Sequence, residues 1–258
     1  MAVTVLSTVL VAAAGNGPAT CAEAAAAVLT GQLAIGWSND ALDAGRDRAV
    51  GRTDKPVAQG LVSPREIWTA TALATAATVP LSLLLGWRAG ALQLSVVLWG
   101  WLYNAWLKST VFSPLPFLLA FGGLPAVATL ALASPRWPSV WTLAAAGMIG
   151  VAAHFGNVLP DLDDDQDTGI SGLPHRLGRT LSSYAAVGAA LAATVVAVAA
   201  TAGQGSVATW LCAAAAVSFA ALGYVASRSH PASEAAFFAT MAIAAADVAL
   251  IVSSGALH

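Results

Sequence analysis

Runs such as AALAATVVAVAATA, residues 189–202, carry no charge at all, and they bound what this chain can fold into. In lipid the backbone must satisfy its own N–H and C=O groups, which a helix does within one segment. A membrane barrel would need short alternating strands, and these runs do not alternate. Apolar runs punctuated by Gly, Pro or charge recur at about 2–14, 19–38, 66–86, 88–106, 113–133, 138–159, 179–201, 206–228 and 233–254. They predict an all-α integral membrane protein, a bundle of about nine transmembrane helices formed as one domain over residues 1–258. The first run is short for a full crossing, and without a basic region or a clear cleavage site it reads as a clipped or tilted helix rather than a signal peptide. Composition agrees: of 258 residues, 58% are hydrophobic and 9% charged, against about 25% charge in a soluble domain. Soluble α/β, disordered and disulfide-rich classes are excluded. The net charge of −2 gives nucleic-acid binding no electrostatic basis.

The few charges are unevenly placed. With nine spans, Arg46, Arg48, Arg52, Lys55, Arg65, Lys108, Arg176, Arg179 and Arg228 share one face, and only Arg88 and Arg136 fall on the other. The positive-inside rule makes the first face cytoplasmic. Trp37, Trp68 and Trp106 sit near one set of helix ends and Trp87, Trp137, Trp141 and Trp210 near the other, as an aromatic belt does. Ten of the 13 acids gather on the cytoplasmic face in two clusters, five within 40–66 and five within 161–167. Each cluster begins where a long apolar run ends.

The clusters share a spacing: Asn39, Asp43 and Asp47 in one, Asn157, Asp161 and Asp165 in the other. Steps of four on a continuing helix stack these groups on one face. Carboxylates so close repel unless a cation lies between them. Hard oxygens without His or Cys suit Mg²⁺, which keeps waters and shares its sphere with phosphate oxygens. Two such ladders facing one cavity can hold two or three ions around a diphosphate. For Asp40, Asp54, Asp163 and Asp167 a ligand role and a solvated one stay equally open.

These residues resemble the UbiA superfamily of intramembrane prenyltransferases. Asn39, Asp40, Asp43 and Asp47 match its N-D-x-x-D-x-x-x-D pattern, and Asp161 and Asp165 its D-x-x-x-D pattern. The run Asp161 to Ile170, with Asp164, Asp165 and Gly169, is similar to its D-x-x-D-D-x-x-x-G-I. Tyr103, Leu107 and Lys108 look like its Y-x-x-x-L-K element, and Arg52, Lys55 and Pro56 its R-x-x-K-P segment. The resemblance implies a nine-helix bundle around a central apolar cavity, capped at its cytoplasmic end by the aspartate motifs. It implies a Mg²⁺-dependent prenyltransferase that ionises an allylic, lipid-soluble prenyl diphosphate and passes the prenyl group to a small aromatic acceptor. The ligands would be Asn39, Asp40, Asp43, Asp47, Asp161 and Asp165, with Asn157 and Asp164 as further candidates. Arg48, Arg52, Lys55 and Lys108 would contact the diphosphate. Asp43, Asp161, Lys108 and Tyr103 would carry catalysis, Tyr103 by facing the allylic cation. A membrane terpene cyclase, in which an internal double bond captures the cation, is the alternative, and a divalent-cation carrier the non-enzymatic one.

Other residues read more plainly. His154, one turn before Asn157, is either a hydrogen-bonded interior residue or a pocket residue, the first being the default. His175 reads as a solvated loop residue. For Asp247 and Glu23 a functional role, a local polar partner and a position near the interface stay equally open, and Cys21 and Cys212 are packing thiols. Pro160 should bend or break the sixth helix. The Ala and Gly of the later spans permit close helix packing or simply reflect composition.

Overall fold

The structure is a computed structural model that describes residues 1–49, 51, 53, 55–162, 169–201, 207–229 and 235–257. Within the described residues the chain forms nine α-helices and a short 3-10 turn, with no strand. The helices are α1 (Ala2–Ala13), α2 (Pro18–Ala49), α3 (Pro64–Leu84), α4 (Trp87–Ala105), α5 (Leu115–Leu130), α6 (Val140–Val158), α7 (Leu173–Thr201), α8 (Val207–Ser229) and α9 (Ala235–Ser253). Each of the nine apolar runs read from the sequence therefore coincides, over most of its described residues, with one of these helices. Taken singly, α2, α3 and α7 are long and apolar enough to cross a bilayer, while α1, α5 and the apolar stretches 209–222 and 237–253 are shorter. The shorter helices are set apart by length and pack against their neighbours. α1 packs on α2 and α5, α2 on α3 and α4, α5 on α6, α6 on α7, and α9 on α6, α7 and α8.

Helix boundaries follow local chemistry. Ser63 caps α3: its Oγ accepts from the Glu66 N–H at 3.2 Å, and the Glu66 carboxylate accepts from the Ser63 N–H at 2.8 Å. α2 does not stop at 38, where its apolar run ends, but continues to Ala49. Its 32 residues span about 48 Å at 1.5 Å each, against about 30 Å of hydrocarbon. The surplus carries the first acid cluster beyond the bundle core. α6 behaves differently, ending at Val158 with Pro160 and Asp161 in a turn. Asn157 and Asp161 of the second ladder are thus not on one continuing helix, because Pro160 cannot donate the next hydrogen bond. α7 contains a break at Gly178, whose φ of 76° and ψ of 169° separate a short turn, 173–177, from the span 179–201.

Small residues face inward. Ala186, Ala190, Ala193 and Ala197 are fully buried along one face of α7, where Ala190 and Ala193 meet Ala145, Ile149 and Ala152 of α6 and Ile243 and Ile251 of α9. Large apolar side chains face outward, among them Leu73, Leu181, Val195, Leu211, Val217 and Leu222. A water-soluble core inverts this arrangement, whereas lipid-facing helices adopt it. The Ala-rich composition is therefore used for close approach. Trp87, Trp137 and Trp210 on one side, and Trp68 and Trp106 on the other, are exposed, and the Arg88 guanidinium lies 5.2 Å from the Trp87 ring centroid. Asp247 meets a local partner, accepting from Thr194 Oγ1 at 2.6 Å.

The tightest approach is between α5 and α6. A Cβ at Gly147 would lie 3.0 Å from the Leu118 carbonyl oxygen, and one at Gly150 would collide with the Phe117 carbonyl oxygen. Gly150→Ala is expected to lower stability by about 1–3 kcal/mol, read as a drop in the thermal midpoint of the detergent-solubilised protein. Gly188→Ala, where a Cβ meets nothing within 4 Å, should show no loss; equal behaviour of the two would refute this packing.

Candidate functional site

The surplus turns of α2, the turn after α4 and the end of α6 meet around a chamber of about 410 Å³. Asn39, Asp43 and Asp47 line it from α2, Lys55 from the following loop, Tyr103 and Lys108 from α4 and its turn, and Asn157 and Asp161 from the end of α6. Steps of four along α2 account for the first set, and Asn157 and Asp161 of the second cluster line the same cavity without a continuing helix between them. Asp43 and Asp47 are buried. Beneath, a second cavity of about 220 Å³ is lined mainly by apolar groups including Val96, Phe121 and Leu124. Ile35, Tyr103, Phe117 and Asn157 line both cavities, so the polar chamber and the apolar one adjoin across these four residues, two of them aromatic.

Cations hold the acids in place. Lys108 Nζ donates to both carboxylate oxygens of Asp43, at 2.6 and 2.7 Å, and to Asn39 Oδ1 at 3.3 Å. Arg46 Nη1 adds a contact to Asp43 at 3.1 Å. Lys55 bridges Asp40 at 3.3 Å and Asp47 at 3.0 Å. Burial pulls the Lys108 ammonium below its ordinary value, the bond to Asp43 opposes this, and Arg46 and Lys55 add to the depression. Burial also pulls on Lys55, but its bond and attraction to Asp47, with Asp40 behind, raise it overall. The two lysines are thus displaced in opposite directions: Lys108 is the more deeply buried, meets one carboxylate and faces Arg46 and Lys55, whereas Lys55 is less buried and meets two carboxylates.

Below the acids, Asn104 Nδ2 donates to the Ile35 carbonyl at 2.7 Å and to Ser38 Oγ at 3.0 Å, fastening α4 to α2. Tyr103 stands edge-on to Phe117 at 5.1 Å and to His154 at 5.7 Å. His154 is not on the wall but behind it: it is buried, and its Nε2 shares a hydrogen bond with Ser113 Oγ at 3.0 Å. Ser113 Oγ also accepts from the Leu173 N–H at 3.0 Å. The interior, hydrogen-bonded reading of His154 describes its position.

Other positions differ from expectation. His175 is buried and lines the chamber, not solvated. The reason is tertiary: a Cβ at Gly172 would collide with the Lys108 carbonyl oxygen, and Ser171 Oγ donates to the Ser109 carbonyl at 3.3 Å. This segment is therefore pressed onto the turn after α4. Arg48 is not on the wall; its Nη2 donates to the Val57 carbonyl at 3.2 Å. Asp40 reaches the site through Lys55 and does not itself line the chamber. Arg46, absent from the sequence-derived candidates, does line it, and its step of three from Asp43 was the available signal. Arg52, Asp54, Asp163, Asp164, Asp165 and Asp167 lie outside the described residues. Among the described residues no three His, Cys, Asp or Glu side chains converge as a ready-made metal cluster. What converges is a set of hard oxygens already engaged by ammonium and guanidinium groups.

Comparison with known proteins bears on this arrangement. The model of the UbiA prenyltransferase family matches residues 1–245. No curated protein sequence matches the chain. Among solved structures it is similar to a UbiA homolog from Aeropyrum pernix K1, at 22% identity over 96% of this chain and 94% of that one, with a TM-score of 0.73. It is also similar to a digeranylgeranylglyceryl phosphate synthase, at 15% identity over 98% and 91% and a TM-score of 0.68. A third is a UbiA homolog from Archaeoglobus fulgidus solved bound to GPP and Mg²⁺, at 12% identity over 97% and 96% and a TM-score of 0.65. At these identities the structures share a fold.

Ser113 joins three elements through one hydroxyl. Ser113→Ala leaves the Leu173 N–H and His154 Nε2 without that partner and is expected to cost about 1–3 kcal/mol, measured as a lower unfolding temperature. Ser95→Ala, whose hydroxyl returns to the Leu92 carbonyl of its own helix, is the control and should melt close to the unmodified protein.

Proposed function

The chain belongs to the UbiA prenyltransferase family, and from that membership we propose that it is a Mg²⁺-dependent enzyme that ionises an allylic prenyl diphosphate and transfers the prenyl group to a small aromatic acceptor. One observation carries the reading: a chamber lined by acids and by Lys55 and Lys108 adjoins an apolar cavity across Tyr103 and Phe117, which line both. A prenyl diphosphate has the same polarity along its length, with a charged head and an apolar tail. The A. fulgidus homolog, solved with GPP and Mg²⁺, supports the same assignment. All of residues 1–258 would form the one domain.

The donor set fits the metal by its chemistry. Asn39, Asp43, Asp47, Asn157 and Asp161 offer hard oxygens on one chamber, and Mg²⁺ prefers one or two carboxylates with waters and phosphate oxygens over an all-protein cage. Asp165, from the same motif, would complete the set. Bound there, the ion would neutralise the diphosphate as it leaves. Lys108, Lys55 and Arg46 supply positive charge to the same oxygens, and Arg52 remains a candidate for this role. Tyr103, which lines both cavities, would face the allylic cation with its ring, an interaction worth about 0.5–2 kcal/mol. His154 and Phe117 fix the angle of that ring. The apolar cavity keeps water from the cation. The sequence-read bias of nine of the 11 basic residues to one side of the nine spans supports a cytoplasmic face for the chamber.

Purified protein supplied with an allylic prenyl diphosphate is expected to release diphosphate only with Mg²⁺ present. Asp43→Ala and Asp161→Ala should each reduce that release by roughly a hundredfold or more. Retained turnover in both variants would sink the mechanism. A cyclic hydrocarbon or alcohol formed without an acceptor would replace transfer by cyclisation.

A further inference from the structure

The contacts of Lys108 and Lys55 occupy the same oxygens that the proposed metal site needs. Asp43 gives both carboxylate oxygens to Lys108 Nζ, at 2.6 and 2.7 Å, and Asn39 gives its amide oxygen at 3.3 Å. Three acceptors exhaust the three protons of an ammonium. Asp40 and Asp47 are drawn together by Lys55 in the same way. A Mg²⁺ ion requires oxygens at about 2.0–2.1 Å in near-octahedral order. It cannot enter among the Asp43 oxygens while Nζ stands between them and Asn39. Removing the ammonium alone would leave a buried cation without its counter-charges, which is costly. The exchange becomes favourable when a second anion receives the lysine, and a diphosphate supplies such oxygens within the same chamber.

We propose that Lys108 and Lys55 are placeholder cations: they neutralise Asp40, Asp43 and Asp47 until a diphosphate draws both ammoniums away, so that metal ion and diphosphate enter together and each binds poorly alone. The inference rests on the assignment of the chamber as a metal and diphosphate site. It adds a binding order that the assignment itself does not require. The lysines are positioning groups before the substrate arrives and charge partners of the diphosphate afterwards. Coupling of this kind is reciprocal, so whatever factor the diphosphate adds to metal affinity, the metal adds to diphosphate affinity.

The test reads binding rather than turnover. Equilibrium dialysis of the full chain in detergent uses Mn²⁺ alone, inorganic pyrophosphate alone, and both together, corrected against protein-free controls. The unmodified protein is expected to bind Mn²⁺ weakly, and about tenfold or more tightly once pyrophosphate is present. Lys108→Met should bind Mn²⁺ alone about tenfold more tightly than the unmodified protein, with the gain from pyrophosphate reduced. Lys108→Arg keeps the charge and should keep the weak metal-only affinity. Lys55→Met tests the second pair from a more exposed position and remains informative if Lys108→Met fails to fold. Metal-only affinity unchanged in both Met variants, with pyrophosphate still promoting metal uptake, would overturn the placeholder role and leave the function intact. Absence of Mn²⁺ binding in every arm would overturn both.

Discussion

Everything at the polar end of this protein depends on a buried carboxylate meeting a buried ammonium. Asp43 and Lys108 each expose 9% of their side chains, and neither charge is tolerable there without the other, because removing one partner of such a pair typically costs about 3–5 kcal/mol. The pair joins the far end of α2 to the turn after α4, elements 65 residues apart in sequence. Asn104 repeats that junction one layer deeper through the Ile35 carbonyl and Ser38. Once α2 and α4 are held at this spacing, the wall of the chamber follows. Tyr103 lies on the same helix as Asn104, next in sequence, and is carried by the same fastening to the boundary that both cavities share.

How much of this could be read from the amino-acid order depends on how local each feature is. The first ladder was legible because steps of four on a helix are a local property, and α2 runs unbroken past Asn39, Asp43 and Asp47. The second was legible only as far as Asn157 and Asp161, since Pro160 ends the helix between them. The choice between Arg46 and Arg48 illustrates the limit. Two residues apart, they point about 200° away from each other around a helix, so one faces the chamber and the other reaches the Val57 carbonyl. Composition and motif matching treat them alike, and only the face decides.

His175 was misread for a different reason. A histidine next to a proline and an arginine after an acidic run has every local mark of an exposed loop. Its burial comes from contacts 60 residues away, through Ser113 Oγ and the backbone of the turn holding Lys108. The break at Gly178 completes the effect, since it lets 173–177 fold back over the site while 179–201 proceeds as a span. No pattern within that segment announces either event.

The small inward faces of α6 and α7 have a consequence for how this protein resists disruption. With Ala against Ala inside and Leu or Val outside, separating two helices within a bilayer exposes little apolar surface to water. The cohesion of the bundle therefore comes from van der Waals fit and from its few buried polar ties rather than from the hydrophobic effect. Urea, which acts by solvating newly exposed surface, gains little purchase on such a structure. Amphiphiles do better, because a detergent tail can take the place of a neighbouring helix, so the durability of the molecule outside its membrane is governed by the shape and length of the hydrocarbon around it.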